Sequence, residues 1–309
     1  MRSARVTVVA FATRRNPIAG TANIGSADRG SRVRCAGTIL KPRRAAPAWL
    51  PLLLVALAAA DAQAGSAGEA TDPRLMLRFV EDGAVVRRLW AEGGLSWERV
   101  TGGTDLQFRP NVAFRYGRDV EAGLVAPVLR RTRSGSSMLY GSEVDESLSS
   151  TGLGDLVLYG KYRVLRSPFE LSVGATCSLP LADGDSGLTS GAVQGSGFAG
   201  LRKRFSSLTL AGHVGFAVTE EARFGQGAEG RLSATAGLGV LVPLAPMWVL
   251  LTELDYAGAQ FEGDGASSRV LLGLDWRPMS NMAVRGGVGT GLTDAAPEAI
   301  GLASLVFDL

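Results

Sequence analysis

From Thr151 to Leu179 the chain reads TGLGDLVLYGKYRVLRSPFELSVGATCSL, and the character of its residues alternates with period two. Leu156, Leu158, Tyr162 and Val164 share one side of an extended strand, and Asp155, Tyr159, Lys161 and Arg163 share the other. After Arg166-Ser167-Pro168 the alternation resumes, with Phe169, Leu171, Val173, Ala175, Cys177 and Leu179 opposite Glu170, Ser172, Gly174, Thr176 and Ser178. Two such strands in succession predict an antiparallel hairpin. The polar face carries full charges and the apolar face none, over about the 9–11 residues that a tilted strand needs to cross a bilayer. A soluble sandwich buries the apolar face, whereas a membrane barrel turns it to lipid and points the polar face into the lumen.

The same unit recurs. Leu95 and Trp97 alternate with Ser96 and Glu98, and Leu106, Phe108, Pro110, Val112, Phe114 and Tyr116 stand opposite Gln107, Arg109, Asn111 and Arg115. Pro110 cannot donate to a sheet ladder, so it demands a bulge or an irregular pair. Further apolar faces follow along Val120–Val128, Leu208–Val218, Leu232–Val242, Trp248–Tyr256, Val270–Trp276, Met282–Val288 and Leu305–Leu309. Short turns near Arg118, Ser167, Ser206, Pro246 and Ser280 alternate with longer polar loops at 131–150, 180–190, 219–228, 258–267 and 292–297. Short periplasmic turns, longer outer loops and an even strand number describe an outer-membrane barrel. The reading is an all-β, antiparallel, up-and-down transmembrane β-barrel of about twelve strands over residues 89–309. Residues 65–88 form either a periplasmic lead-in or a plug.

A formal charge of +3 suggests a basic protein, but ten Lys and Arg and only two acidic residues precede Gly65. The remainder carries roughly five net negative charges, which argues against a nucleic-acid footprint. Residues 41–64 read KPRRAAPAWLPLLLVALAAADAQA: a basic start, an apolar run too short for a membrane helix, and an Ala62-Gln63-Ala64 cleavage site, together a secretory signal peptide. Residues 1–40 stand upstream of it. Cys177 then remains without a partner cysteine, and its face points outward.

GLGDLVLYGKY, the strand end SLPLADGD and the GSG of Gly195–Gly197 follow one another in an order that resembles the MetA-pathway of phenol degradation family of outer-membrane barrels. The resemblance covers about residues 85–309. Leu181-Ala182 stands where that family has one small residue, Gln194 replaces a small apolar one, and the chain ends Phe307-Asp308-Leu309 rather than on an aromatic. The resemblance implies an outer-membrane channel, porin-like, for hydrophobic or aromatic small molecules.

Alternation assigns Arg109, Arg115, Glu121, Asp155, Lys161, Arg163, Glu170, Arg231, Glu253, Asp255, Arg269, Asp275, Arg277 and Arg285 to the lumen, with His213, the single histidine, among them. Charges there must pair or face water. They therefore line either a water-filled pore or a cross-strand ion-pair lattice that closes it, and Asp155, Lys161, Arg163 and Glu170 are expected on one wall. Inward Ser172 and Thr209 should accept a charge more readily than outward Leu158 or Leu210. His213 opposite Ser233 and Thr235 allows a barrel enzyme acting on lipids as an alternative, though no nucleophile elbow is present. A soluble periplasmic barrel or sandwich binding a small ligand is a third reading. Asp183-Gly184-Asp185 lacks the later glutamate of a calcium loop, so neither a metal nor a cofactor is expected. Trp97, Tyr116, Tyr162, Trp248, Tyr256 and Trp276 fall near strand ends, where interfacial girdles lie. The expected partners are outer-membrane lipid, a small-molecule permeant and the barrel-assembly machinery, engaged through the C-terminal strand of a monomer.

Overall fold

The computed structural model describes residues 73–309 except 136, 145, 146 and 226; residues 1–72, with the expected signal peptide at 41–64, lie outside the described residues. The described strands are β1 (Leu89–Val100), β2 (Gly103–Tyr116), β3 (Val120–Val125), β4 (Val128–Arg133), β5 (Ser137–Leu139), β6 (Ser142–Val144), β7 (Leu148–Leu153), β8 (Asp155–Leu165), β9 (Glu170–Pro180), β10 (Gln194–Arg204), β11 (Thr209–Thr219), β12 (Leu232–Ala245), β13 (Trp248–Ala257), β14 (Ser267–Met279), β15 (Met282–Gly291) and β16 (Ala299–Asp308). All but β5 and β6 belong to one antiparallel sheet. β3 and β4 both pair with β2 and act as one barrel strand, and β7 and β8 form the next, so the wall has twelve staves. β1 pairs with both β2 and β16, which closes the barrel and leaves no edge. At the seam Leu89 and Leu309 exchange backbone hydrogen bonds of 2.9 and 2.7 Å.

Pro110 sits within an unbroken β2. The irregularity it demands is taken by the facing strand, where β3 gives way to β4 at Ala126-Pro127, and the Pro110 carbonyl accepts from the Ala126 amide at 3.1 Å. Two residues that cannot donate thus meet at one interruption rather than spoiling two ladders.

The exterior is apolar. Leu158, Val173, Val214, Phe216, Leu238, Leu272 and Leu305 are exposed on outward-facing positions of successive strands. A soluble barrel would not leave this band uncovered. Trp97 and Tyr256 face outward toward the loop end, and Tyr116, Tyr162, Trp248 and Trp276 toward the short-turn end, with Trp248 and Trp276 stacked at 5.7 Å. Aromatic girdles therefore mark both interfaces.

Both ends of the barrel wall, Leu89 and Leu309, lie with the short turns. At the opposite end the 134–147 loop carries the β5–β6 hairpin. Tyr140 and Gly141 turn that hairpin in left-handed conformations, φ 50° and 75°. The Tyr140 ring lies 5.9 Å from Phe224 and 6.1 Å from Phe261, and the Gly141 amide donates to Asp264 at 2.8 Å. Phe261 and Asp264 belong to the β13–β14 loop, half the ring away from the stave that bears the hairpin. The hairpin therefore spans the mouth.

Candidate functional site in the barrel lumen

The chain before β1 turns into the barrel. Wall residues from six staves hold residues 73–88 there. Glu121 of β3 pairs with Arg74 at 3.2 Å and accepts from the Val86 amide at 2.6 Å. Glu253 of β13 accepts from the Met76 and Leu77 amides, and Asp255 binds Arg78 at 2.6 Å. From the opposite charge class, Lys161 of β8 donates to the Val80 and Asp82 carbonyls at 3.2 and 3.0 Å. Arg202 of β10 holds the Asp82 carboxylate at 2.8 Å and the Pro73 carbonyl at 2.6 Å, and Arg285 of β15 donates to the Arg74 carbonyl. The Ser172 hydroxyl of β9 donates to the Gly83 carbonyl at 2.6 Å. Wall acids take the segment's amides and arginines while wall cations take its carbonyls and its carboxylate, so an irregular backbone is satisfied without a regular element.

Asp82 is the hub of this arrangement. Burial alone raises the energy of its charged form, but Arg202, Arg74 and Lys161 outweigh burial and bring its pKa down to about 2. Its two oxygens also accept the Leu75 and Ala84 amides at 3.1 and 3.0 Å, which folds the segment on itself.

The segment brings apolar side chains that the wall meets in kind. Phe79 and Val86 pack with inward-facing Trp90, Ala113, Tyr159 and Val306, the Phe79 and Trp90 rings 4.9 Å apart. Leu75 packs with Ala211, Leu241, Val249 and Leu251. The lumen face is thus not uniformly polar. The wall meets the segment's apolar side chains with apolar residues and its polar groups with charges, so polar and apolar positions both face inward there.

Beyond the segment, toward the loops, the lumen opens into a cavity of about 250 Å³. Its floor is Met76–Glu81, and its walls include Ser96, Arg109, Asn111, Val157, Thr176, Gln194, Phe198 and Ser304. Arg109 lines this space and makes no hydrogen bond or ion pair with any described residue. The buried Asn111 Oδ1 and Ser304 Oγ also lack partners.

The lumen positions expected from alternation are distributed between these two zones. Lys161, Glu253, Asp255 and Arg285 touch the segment. Asp275 binds Arg277 at 2.8 Å and approaches Arg285 at 3.5 Å, while Arg269 bridges Asp255 at 2.9 Å and Glu98 at 3.7 Å. Arg115 stands near the short-turn rim opposite Glu121. Arg163 and Glu170 meet there at 3.6 Å, and Arg163 also binds Asp119 at 3.1 Å. Asp155 is eight residues from Arg163, about 26 Å along the strand, so the four residues expected on one wall do not form one cluster. Arg231 precedes β12 and pairs with Glu262 at 3.5 Å, both about half exposed, which places it at the mouth rather than in the lumen. His213 is buried and its two ring nitrogens have no partner, as is the Ser233 hydroxyl, so the two do not form a nucleophile and base.

Ser172 is fully buried under the segment, so a bulky charge there would displace residue 83 rather than project into water. Leu210 is the second residue of β11, near the short-turn end rather than at mid-strand. Arg202 escaped the sequence reading because GSGFAGLRKR hides its alternation among glycines. Asp105, Arg131 and Arg133 escaped because the strands continue past the bilayer; there Asp105 holds Arg131 at 3.2 Å and Arg133 at 2.6 Å.

No family model matches the sequence, and no curated protein matches it. Among solved structures, an outer membrane channel from Pseudomonas putida F1 aligns with a TM-score of 0.58 at 12% identity, over 79% of this chain and 99% of that one. The KdgM porin aligns at 0.47 and 10% identity over 71% of this chain and 99% of its own, and the NanC porin at 0.47 and 9% over 72% and 100%. At these identities what is shared is the fold: a closed outer-membrane barrel.

Proposed function

We propose that this chain is an outer-membrane channel through which small molecules diffuse, and that residues 73–88 are its plug. The observation that carries the reading is the cavity enclosed inside a lipid-facing barrel, between a segment held by paired charges and loops that meet across the mouth. Among the described residues His213 and Ser233 do not pair, so the barrel-enzyme reading has no nucleophile and base to rest on. The order of GLGD, KY and GSG motifs supports membership of the MetA-pathway of phenol degradation family and, with it, a hydrophobic or aromatic permeant. On this reading the signal peptide ends at Ala64, the barrel acts as a monomer, and β16 presents the chain to the assembly machinery.

Planar-bilayer conductance tests the channel. Refolded protein starting at Gly65 should show little steady conductance, and the same protein without residues 65–88 should conduct ohmically. Equal conductance of the two would remove the plug. Absence of conductance and solute flux from both would remove the channel.

A further inference from the structure

The cavity has a chemical polarity that conduction alone does not require. Arg109 on β2 projects into it with no carboxylate of its own. By contrast, Arg131 and Arg133 share Asp105, Arg202 holds Asp82, Arg269 holds Asp255, and Arg277 and Arg285 share Asp275. The acids on the neighbouring strand β1 are engaged elsewhere, Glu92 by Arg285 at 3.4 Å and Glu98 by Arg269 at 3.7 Å. A guanidinium with no ion-pair partner that stays exposed on the lumen wall offers a site for an anion.

The register sets donors around it. Arg109 pairs with Gly94 of β1, and Gly94 pairs with Ser304 of β16, so three adjacent strands place Arg109, a glycine and Ser304 on one level. A Cβ at Gly94 would stand 3.6 Å from both the Arg109 carbonyl and the Ser304 Cβ, so the three strands lie at ordinary contact distance on this level. Asn111 lies two residues along the same inward face of β2. Arg109, Ser304 and Asn111 thus share one side of the lumen, where the Ser304 hydroxyl and the Asn111 carbonyl oxygen are buried without partners. Phe198, Val157 and the plug's Phe79 also line the cavity, and Val125 stands beside Asn111 on the next strand. Glu81 and Glu92 also line it and oppose a second negative charge.

We propose that this cavity binds a small monoanionic aromatic acid, its carboxylate on Arg109 with Ser304 and Asn111, and its ring against Phe198 and Phe79. The proposal rests on the channel reading and names its permeant class. A volume of about 250 Å³ holds a single-ring acid and is too small for an oligosaccharide.

Titration calorimetry on the refolded chain from Gly65, in detergent, tests it with benzoate, benzyl alcohol and acetate. Benzoate should bind saturably, and about tenfold or more tightly than either the uncharged or the ringless probe, the margin expected of a charge-assisted hydrogen bond. Arg109→Gln should bring benzoate down to the level of benzyl alcohol while benzyl alcohol itself is unchanged. Equal binding of benzoate by the variant, or of benzyl alcohol by the parent, would overturn the assignment, as would no saturable binding of benzoate. The parent-protein comparison stands even if the variant does not refold. Conductance of the plug-deleted barrel separates the two readings: a conducting barrel without benzoate preference removes this inference alone, and a silent barrel with benzoate bound removes the channel.

Discussion

Toward the short turns the lumen is filled and most of its charged and polar groups are answered by an inserted segment, with the Tyr159 hydroxyl and Arg202 Nε among the exceptions; toward the loops it is hollow, and Arg109, the Asn111 carbonyl oxygen and the Ser304 hydroxyl have no partners among the described residues. Both zones are built from the same staves with the same alternation. The difference lies in what the wall meets. A buried charge facing protein is costly unless it is answered, so the lower-zone charges are paired, whereas Arg109, exposed to the open space of the upper zone, can stand without an ion-pair partner.

The sharpest way to break this contrast is Arg202→Met. It leaves the buried Asp82 carboxylate without its main counter-charge and should weaken segment docking by about 3–5 kcal/mol. Protease cleavage of residues 73–88 in the refolded barrel, and bursts of conductance, would report the loss. Protection equal to the parent would mean that apolar packing alone holds the segment.

Acid should act in the same place. Because the Asp82 carboxyl titrates lower in the docked state than in a free chain, its contribution is complete above about pH 4 and is lost as pH falls toward 2. That contribution is about 2–3 kcal/mol, and conductance should rise across this window. An Asp82→Asn barrel should lack that step.

Gly200→Ala and Gly195→Ala on β10 compare the segment-facing side of one strand with its outward side. A Cβ at Gly200 would collide with the Glu81 carbonyl of the segment, whereas one at Gly195 meets nothing. The first should loosen the segment by about 1–3 kcal/mol, and the second should leave proteolysis and melting unchanged. Ser172→Ala should be the mildest of the lower-zone changes, about 1 kcal/mol for the hydrogen bond to Gly83. A larger effect at Ser172 than at Gly200 would mean that hydrogen bonding rather than close approach sets the position of residues 81–83.

How much of this could be read beforehand follows from where the information lies. In β8 and β9 each outward residue faces lipid, so strand, face and register are written locally as alternation. In β4 and β7, beyond the bilayer, Arg130 and Arg131 stand on opposite faces and both are solvated or paired, so the period fails although the strand continues. Residues 73–88 have no period at all. Their conformation is dictated by Arg202, which the linear reading missed, and by Glu121, Lys161, Glu253 and Arg285, which it places on an inner wall but cannot match to individual groups of the segment. The apolar inward residues Trp90, Leu241 and Leu251 were illegible for the same reason, since only the docked segment makes them core.

The partners of residues 73–88 have one further consequence, for the order in which the molecule can be completed. Glu121 and Arg285 are separated by most of the wall in sequence and become neighbours of one segment only when β1 has met β16. The residues that precede the first strand therefore have to wait for the last one. Until then they carry unanswered charges that favour water over a half-formed sheet, so the segment cannot trap an open intermediate. Its resistance to proteolysis is a direct timer of barrel closure, readable on a gel during refolding without any label.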